Sequence, residues 1–174
     1  MADSTPPFKV DVLTENEWPR LRDIRLSALR ADPATFLSNY VREAAFDERR
    51  WRQEFSRGDW NVMLVDGEEI GVLGVTREPG MSRHECYLEY MWVAPHVRRS
   101  GSGAALLRTV LDRLCSEGVH TVWLYILNGN QTAMRLYERF GFQRTNVRQL
   151  LPDHPAGSEE RMKLSLTDLD LDRI

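Results

Sequence analysis

The chain is poor in cysteine, has no basic excess and has no long apolar run, and each lack closes off a class of protein. Among its 174 residues only Cys86 and Cys115 carry thiols. They stand far apart with no C-x-x-C or C-x-x-x-C spacing, which argues against a zinc site and a disulfide framework. Two free thiols in apolar surroundings read as a reducing, cytoplasmic setting. His84, His96, His120 and His154 share no ligand-like spacing, so no metal is expected. The net charge is -3, and the lack of concentrated lysine and arginine argues against nucleic acid as the main partner. The longest apolar stretch, Val122 to Leu127, is far too short to span a bilayer. The opening MADSTPPFKV lacks the apolar run of a signal peptide.

What is present fits one domain. A length of 174 residues matches a single compact unit, and 42% hydrophobic residues can fill its core. Residues 1–7 read as a flexible leader, 8–166 as the folded domain and 167–174 as an acidic tail. Phe8 to Leu13 alternates like a strand. Thr14 and Glu17 form a capping box, with Leu13 and Trp18 as its hydrophobic staple, and the helix that follows ends at Pro33. A second helix is expected from Phe46 to about Arg57, stopped by Gly58. Asn61–Val65 and Ile70–Thr76 flank the turn Asp66-Gly67-Glu68-Glu69 and read as a hairpin. Glu85 to Val93 is a longer aromatic and β-branched strand, ended by Pro95.

A helix from Ala104 to about Glu117 carries the stripe Leu106, Leu107, Val110, Leu111 and Leu114, with Gly118 as its stop. Val119 to Leu127 is a nearly all-apolar strand. A short helix ending at Gly141 follows Asn130, and strands are expected over Phe142 to about Leu151 and Arg161 to Leu166. Strands alternate with helices, so the class is α/β or α+β with a mixed sheet. The tryptophans Trp18, Trp51, Trp60, Trp92 and Trp123 read as core or half-buried anchors.

Two stretches carry chemistry. In VAPHVRRSGSGAALL, residues Val93 to Leu107, a strand ends, a basic glycine-containing loop follows, and a helix begins. Helix N-termini offer unpaired N–H groups and partial positive charge, and glycine lets a backbone come close to a ligand. With Arg98 and Arg99 the loop suits a pyrophosphate. It is not a dinucleotide fingerprint, since Leu106 stands where the third glycine belongs, and no Gly-Lys-Ser/Thr makes it a P-loop. The second stretch, NGNQTAMRLYERFGF, residues Asn128 to Phe142, sets an asparagine after a buried strand, then a one-faced helix with Tyr137, then Gly-Phe.

Together these resemble the GNAT superfamily of N-acetyltransferases. The matching features are V-x-P at Val93–Pro95, R-x-x-G-x-G at Arg98–Gly103, and N-x-x-A-x-x-x-Y-x-x-x-G-F at Asn130–Phe142, in the family's order. The resemblance implies a GNAT-like mixed, mostly antiparallel central sheet flanked by helices, in a single domain. It implies that acetyl-CoA binds as co-substrate. Arg98, Arg99, Ser100, Gly101, Ser102, Gly103 and Ala104 would hold the pyrophosphate. The backbone at Trp92 and Val93 would pair with the pantetheine arm, where a family bulge opens a slot, and the Val93 N–H would polarise the thioester carbonyl. Asn130 would contact the pantetheine arm, and Tyr137 would sit near the sulfur as general acid. Arg25–Glu43 and Arg148–Glu160 would shape the acceptor pocket, and a homodimer is compatible with the family.

The chemistry explains the residue types. A primary amine has a pKa of about 10.4, so a proton must leave before attack. Attack builds an oxyanion that needs a fixed donor. Glu89 is the candidate base. Four residues along a strand is roughly 13 Å, so from Val93 it would act through water. Glu43 and Glu78 are further candidates for contact with a cationic acceptor. The expected acceptor is a primary amine of a small molecule or peptide, with no nucleic acid and no membrane as partner. The alternative is an inactive CoA-binding regulatory module of the same fold.

Overall fold

The computed structural model describes residues 8–167. The leader expected at 1–7 and all but Thr167 of the expected acidic tail lie outside the described residues. Among the described residues seven strands are β1 (Phe8–Val12), β2 (Gly58–Val65), β3 (Glu68–Thr76), β4 (Glu85–Val93), β5 (Thr121–Leu127), β6 (Gln143–Leu150) and β7 (Ser158–Ser165). Among the described residues the α-helices are α1 (Trp18–Ala31), α2 (Tyr40–Ala44), α3 (Glu48–Phe55), α4 (Ser102–Ser116) and α5 (Gln131–Arg139). The strands form one mixed sheet in the order β1-β2-β3-β4-β5-β7-β6. β1 runs antiparallel to β2, β4 parallel to β5, and β7 antiparallel to both β5 and β6.

Local chemistry sets most boundaries. The Glu17 carboxylate accepts from the Thr14 backbone N–H and hydroxyl at 2.8 Å each, the expected cap at the entry to α1. Asp66 and Gly67, at φ 51° and 85°, make the two-residue turn between β2 and β3, which fits the twist of a hairpin. α4 and α5 end alike. Val119 N–H reaches Leu114 O at 2.9 Å and Gly118 N–H reaches Cys115 O at 3.0 Å, with Gly118 at φ 80°. Phe142 N–H reaches Tyr137 O and Gly141 N–H reaches Glu138 O, both at 3.0 Å, with Gly141 at φ 88°. Each is a 6→1 and 5→2 bond pair around a left-handed glycine.

Several boundaries differ from those the sequence predicts: α4 starts at Ser102, β3 at Glu68, β5 at Thr121 and β7 at Ser158. The second expected helix starts at Glu48, where the Asp47 side chain caps it through Arg50 N–H at 2.8 Å, and α2 is an additional short helix capped by Asn39. Gly58 opens β2 as well as ending the helical run.

By contact the chain gathers into two compact units. One holds residues up to Val75 together with Tyr90–Thr109; the other holds Thr76–Glu89 together with residues from Val110 onward. In the first, Leu21, Ile24, Ala28 and Leu29 of α1 are buried, as are Val62, Met63, Ile70, Val72 and Leu73 of the hairpin. In the second, Leu111 and Leu114 are buried, as are Val122, Leu124 and Ile126 of β5 and Met162 and Leu164 of β7. Trp51, Trp60 and Trp92 are buried, and Trp18 and Trp123 are half-buried, in line with their reading as anchors.

Polar atoms also enter the first core. Arg25 and Glu43 are both buried and form a two-pronged pair, Nε to Oε2 at 3.0 Å and Nη2 to Oε1 at 2.9 Å. The guanidinium lies 4.7 Å from the Phe36 ring centre and 4.2 Å from that of Tyr90. Glu43, a sequence candidate for acceptor contact, is thus committed to Arg25. Removing one partner of such a pair strands the other charge. We predict that Glu43→Ala lowers unfolding free energy by about 3–5 kcal/mol. Chemical denaturation measures it, and a loss under about 1 kcal/mol would show the pair to be solvated.

Candidate functional site

The glycine loop and the strand before it lie in the first unit. β4 changes conformation at Tyr90, whose φ of 58° is left-handed for a bulky aromatic residue. Such a residue costs roughly 1–2 kcal/mol and persists only where its surroundings hold it. Here the ring packs at 5.2 Å on Trp60 and lies under Arg25.

Beyond it the strand is extended again. Ala94 N–H donates to Ile70 O of β3 at 2.8 Å. Backbone groups alternate sides along a strand, so the Val93 N–H points away from β3. Gly71 of β3 allows a close approach here. A Cβ on it would stand 3.2 Å from Trp92 O and 3.3 Å from Leu106 Cδ2.

Asp32 then ties the region together. Its carboxylate accepts from the Trp92 indole N–H at 2.7 Å and from the Arg98 guanidinium through Nη1 at 3.2 Å and Nη2. Arg98 Nε donates to Val93 O at 2.9 Å. Arg98 shares its charge with Asp32, and the side chain fixes the loop to its strand. Arg99, at φ 65°, and Gly101, at φ 87°, turn the chain into α4. Ser100 Oγ donates to Val97 O at 2.7 Å and lies 2.7 Å from Ser102 Oγ. The first α-helical bond is from Ala105 N–H to Gly101 O at 2.9 Å, so the N–H groups of Ser102, Gly103 and Ala104 precede the ladder. Three such donors at the positive end of a 15-residue helix form an anion cradle.

The remaining predicted residues lie in the second unit. Asn130 caps α5, its Oδ1 accepting Ala133 N–H at 3.1 Å. Tyr137 is buried and packs edge-on against Phe142 at 5.5 Å, the side-chain contact that accompanies the α5 end motif. Burial pushes the Tyr137 phenol well above its ordinary value of 10.0, so it keeps its proton at any physiological pH. Glu89 is half-buried on β4, and Glu78 acts on the Tyr87 phenol, which burial first and Glu78 second push upward.

One group of interest escaped the sequence reading. Glu159 of β7 is only 8% exposed, and burial followed by repulsion from Glu89 raises its carboxyl above the usual range. Its only sequence signal was a place inside Arg148–Glu160. It lines a cavity of about 140 Å³ with Asn130, Glu138, Arg144 and Arg148.

With the geometry in view, comparison with known proteins decides the family. A model of the acetyltransferase (GNAT) family matches residues 18–142. The chain belongs to that family. It is 35% identical over 106 residues to the ribosomal protein bS18-alanine N-acetyltransferase of Escherichia coli strain K12, covering 61% of this chain and 70% of that one. It is 33% identical over 101 residues to the mycothiol acetyltransferase of Brachybacterium faecium, covering 58% of this chain and 30% of that one. The crystal structure of the Escherichia coli ribosomal-protein-S18-alanine N-acetyltransferase superposes with a TM-score of 0.68 at 21% identity, over 92% of this chain and 94% of that chain. The spermidine N-acetyltransferase from Vibrio cholerae, in complex with CoA and spermine, gives 0.70 at 14% identity, over 92% and 96%. The GNAT member described here is thus an acyltransferase, with the mixed, helix-flanked sheet of its family. No helix among the described residues is long and apolar enough to cross a membrane.

The Asp32 node has a measurable consequence. Arg98 first, with Trp92 adding to it, holds the Asp32 carboxyl below 3.8 against the opposing effect of burial. A depressed carboxyl stabilises the fold above its unfolded value and loses that contribution as pH falls through the folded one. Asp32→Ala should therefore cost about 1–2 kcal/mol at pH 7. The gap from native should narrow below pH 3.8, as thermal unfolding across pH would show. A gap independent of pH would mean that the carboxylate charge contributes nothing.

Proposed function

We propose that this protein transfers an acetyl group from acetyl-CoA directly to a primary amine of a small molecule or peptide, within an acetyltransferase domain spanning residues 8–166, in the cytoplasm. One observation carries the reading. The N–H groups of Ser102, Gly103 and Ala104 precede the α4 ladder, in a loop pinned by Arg98 and Asp32, on a chain of a family that uses acetyl-CoA.

Those N–H groups, with the Ser100 and Ser102 hydroxyls and the exposed Arg99, receive the pyrophosphate. Trp92 and Val93 offer a strand edge to the pantetheine amides. The Asn130 Oδ1 is occupied by its cap, which leaves the side-chain N–H₂ as the donor to that arm. The Val93 N–H, directed away from β3, is the fixed donor for the oxyanion that forms at the thioester carbonyl.

Tyr137 serves the leaving sulfur. A free thiol titrates about 1.5 units below a free phenol, and burial widens that gap, so complete proton transfer from Tyr137 to sulfur is uphill. Tyr137 accordingly donates a hydrogen bond to the developing thiolate and hands over its proton only as another replaces it. The acceptors named for two similar proteins, an alanine of ribosomal protein bS18 and spermidine, fit a primary amine as acceptor here.

Calorimetric titration with acetyl-CoA tests the cradle. Native protein should bind saturably. Gly101→Asp, whose Cβ meets open space but whose left-handed backbone adds about 1 kcal/mol of strain, should lose at least about 10-fold in affinity, and Gly101→Ala, with the same strain and no charge, should lose clearly less. No binding by folded native protein contradicts the proposal. Tyr137→Phe should keep acetyl-CoA affinity and lower kcat by about 10²–10³ across an amine panel. Binding with no turnover of any amine by native protein would leave the inactive CoA-binding module as the correct reading.

A further inference from the structure

The cavity at the carboxyl end of β5 has a feature that the scheme above does not use. Glu159 stands beside Leu127 across the β5–β7 ladder and beside Gln149 across the β6–β7 ladder. It is more than nine-tenths buried, and the influences on its carboxyl are burial, Glu89 and His154, with no hydrogen bond among them. Its neighbour Glu160 differs: it is paired with Arg144, at 3.1 Å through Nε and 2.5 Å through Nη2. The Glu159 oxygens are not sealed from solvent, so the carboxylate opens onto the cavity without a protein donor, and such groups concentrate where a ligand supplies one.

The register shows what else shares this face. Tyr87 is paired with Trp123, Trp123 with Lys163, and Tyr125 with Arg161, so these side chains lie on the Glu159 face. The Tyr87 and Tyr125 rings stack at 6.0 Å. Arg161 lies over Trp123 at 4.6 Å and bonds Tyr87, so the nearest cation on β7 is already engaged. Two carboxylates and two stacked phenols on this face favour a cation with N–H donors, and in the cavity beside them Glu138, Glu159 and Glu160 outnumber Arg144 and Arg148, Arg144 being paired with Glu160. A cavity of about 140 Å³ admits an ammonium head and a few carbons.

We propose that Glu159, assisted by Glu89, binds the ammonium group of the acceptor and takes the proton that must leave before acetyl transfer. This rests on the acetyltransferase reading and assigns the acceptor as a primary alkylammonium compound, or a chain ending in one. The step balances. Ammonium and the Glu159 carboxylate give free amine and a carboxylic acid. The nitrogen lone pair then forms the C–N bond to the acetyl carbon, and the C–S bond breaks with its electron pair going to sulfur. The second nitrogen proton is lost, and sulfur gains one. Glu159 returns its proton to water.

Charged groups around Glu159 come from every neighbouring element: Glu89 of β4, Glu138 of α5, Arg144 and Arg148 of β6, Glu160 and Arg161 of β7, and His154 of the β6–β7 connection. The raised carboxyl implies an acid limb in kcat/KM above 4.5, with rate rising as Glu159 ionises. The stability sign is opposite. The folded state holds this proton more tightly, so native stability falls as pH rises from 4.5 through the raised value.

The test uses n-butylammonium as probe and substrate, with acetyl-CoA affinity measured in parallel. Glu159→Gln should keep acetyl-CoA affinity and lose kcat/KM for n-butylamine by about 10²-fold or more. It should flatten the acid limb, and it should melt higher than native at pH 7.5. A structural carboxylate would do the reverse in stability. Glu159→Asp should recover part of the activity, and Glu89→Gln should move the limb to lower pH. In native protein labelled at glutamate carboxyl carbon, n-butylammonium should shift the Glu159 resonance. An unmoved resonance, or Glu159→Gln with native kcat/KM and limb, overturns this assignment while acetyl-CoA binding leaves the acetyltransferase reading standing. Failure of native protein to bind acetyl-CoA removes that reading itself.

Discussion

The left-handed backbone at Tyr90 is the constraint on which the geometry of the β4 end and the glycine loop depends. A tyrosine does not hold that conformation unaided, and the Trp60 ring and the Arg25 guanidinium keep it there. Arg25 in turn needs Glu43, because a buried guanidinium without a counterion is not sustainable. From Tyr90 the strand resumes through Trp92 to Val93, where Asp32 and Arg98 lock it to the loop. Residues from α1, α2, the hairpin and the β4–α4 connection are thus joined by charge-assisted and ring contacts before any ligand arrives. Preorganised donors cost no rearrangement at the moment of reaction.

The second unit uses different means. Tyr137 is placed by a helix ending, with Gly141 in the left-handed region and Phe142 folding back onto it. The spacing Tyr-x-x-x-Gly-Phe is therefore the chemistry of a C-cap before it is a signature of any family. Asn130 opens the same helix as its cap. Both ends of α5 are set by hydrogen bonds, so the phenol is held at a fixed position. At Glu159 the opposite holds: the carboxyl has no hydrogen bond from the protein to fix it, and burial followed by repulsion from Glu89 raises it above its ordinary range.

What was legible in the sequence was local. The Thr14–Glu17 cap, the Asp66-Gly67 turn, the stops at Gly118 and Gly141, and the glycine loop before α4 each depend on neighbours within a few residues. What was not legible was pairing at a distance. Asp32 and Arg98 are 66 residues apart, and nothing in either local pattern names the other. Arg25 and Glu43 meet across the α1–α2 connection, and α2, five residues long, is too short to show a period. Glu159 and Glu160 read as two ordinary acidic neighbours. Only strand alternation and the Arg144 contact separate a paired carboxylate from an unpaired one. Tyr90 carried no signal, because left-handed tyrosine has no local preference to read.

The central claim is that the Val93 edge and the α4 amides receive acetyl-CoA. Amide hydrogen exchange with and without saturating acetyl-CoA tests it most directly. Slowed exchange at Val93, Ser102, Gly103 and Ala104 on binding is the predicted result. Bound acetyl-CoA with exchange unchanged at those four amides and slowed elsewhere would contradict it.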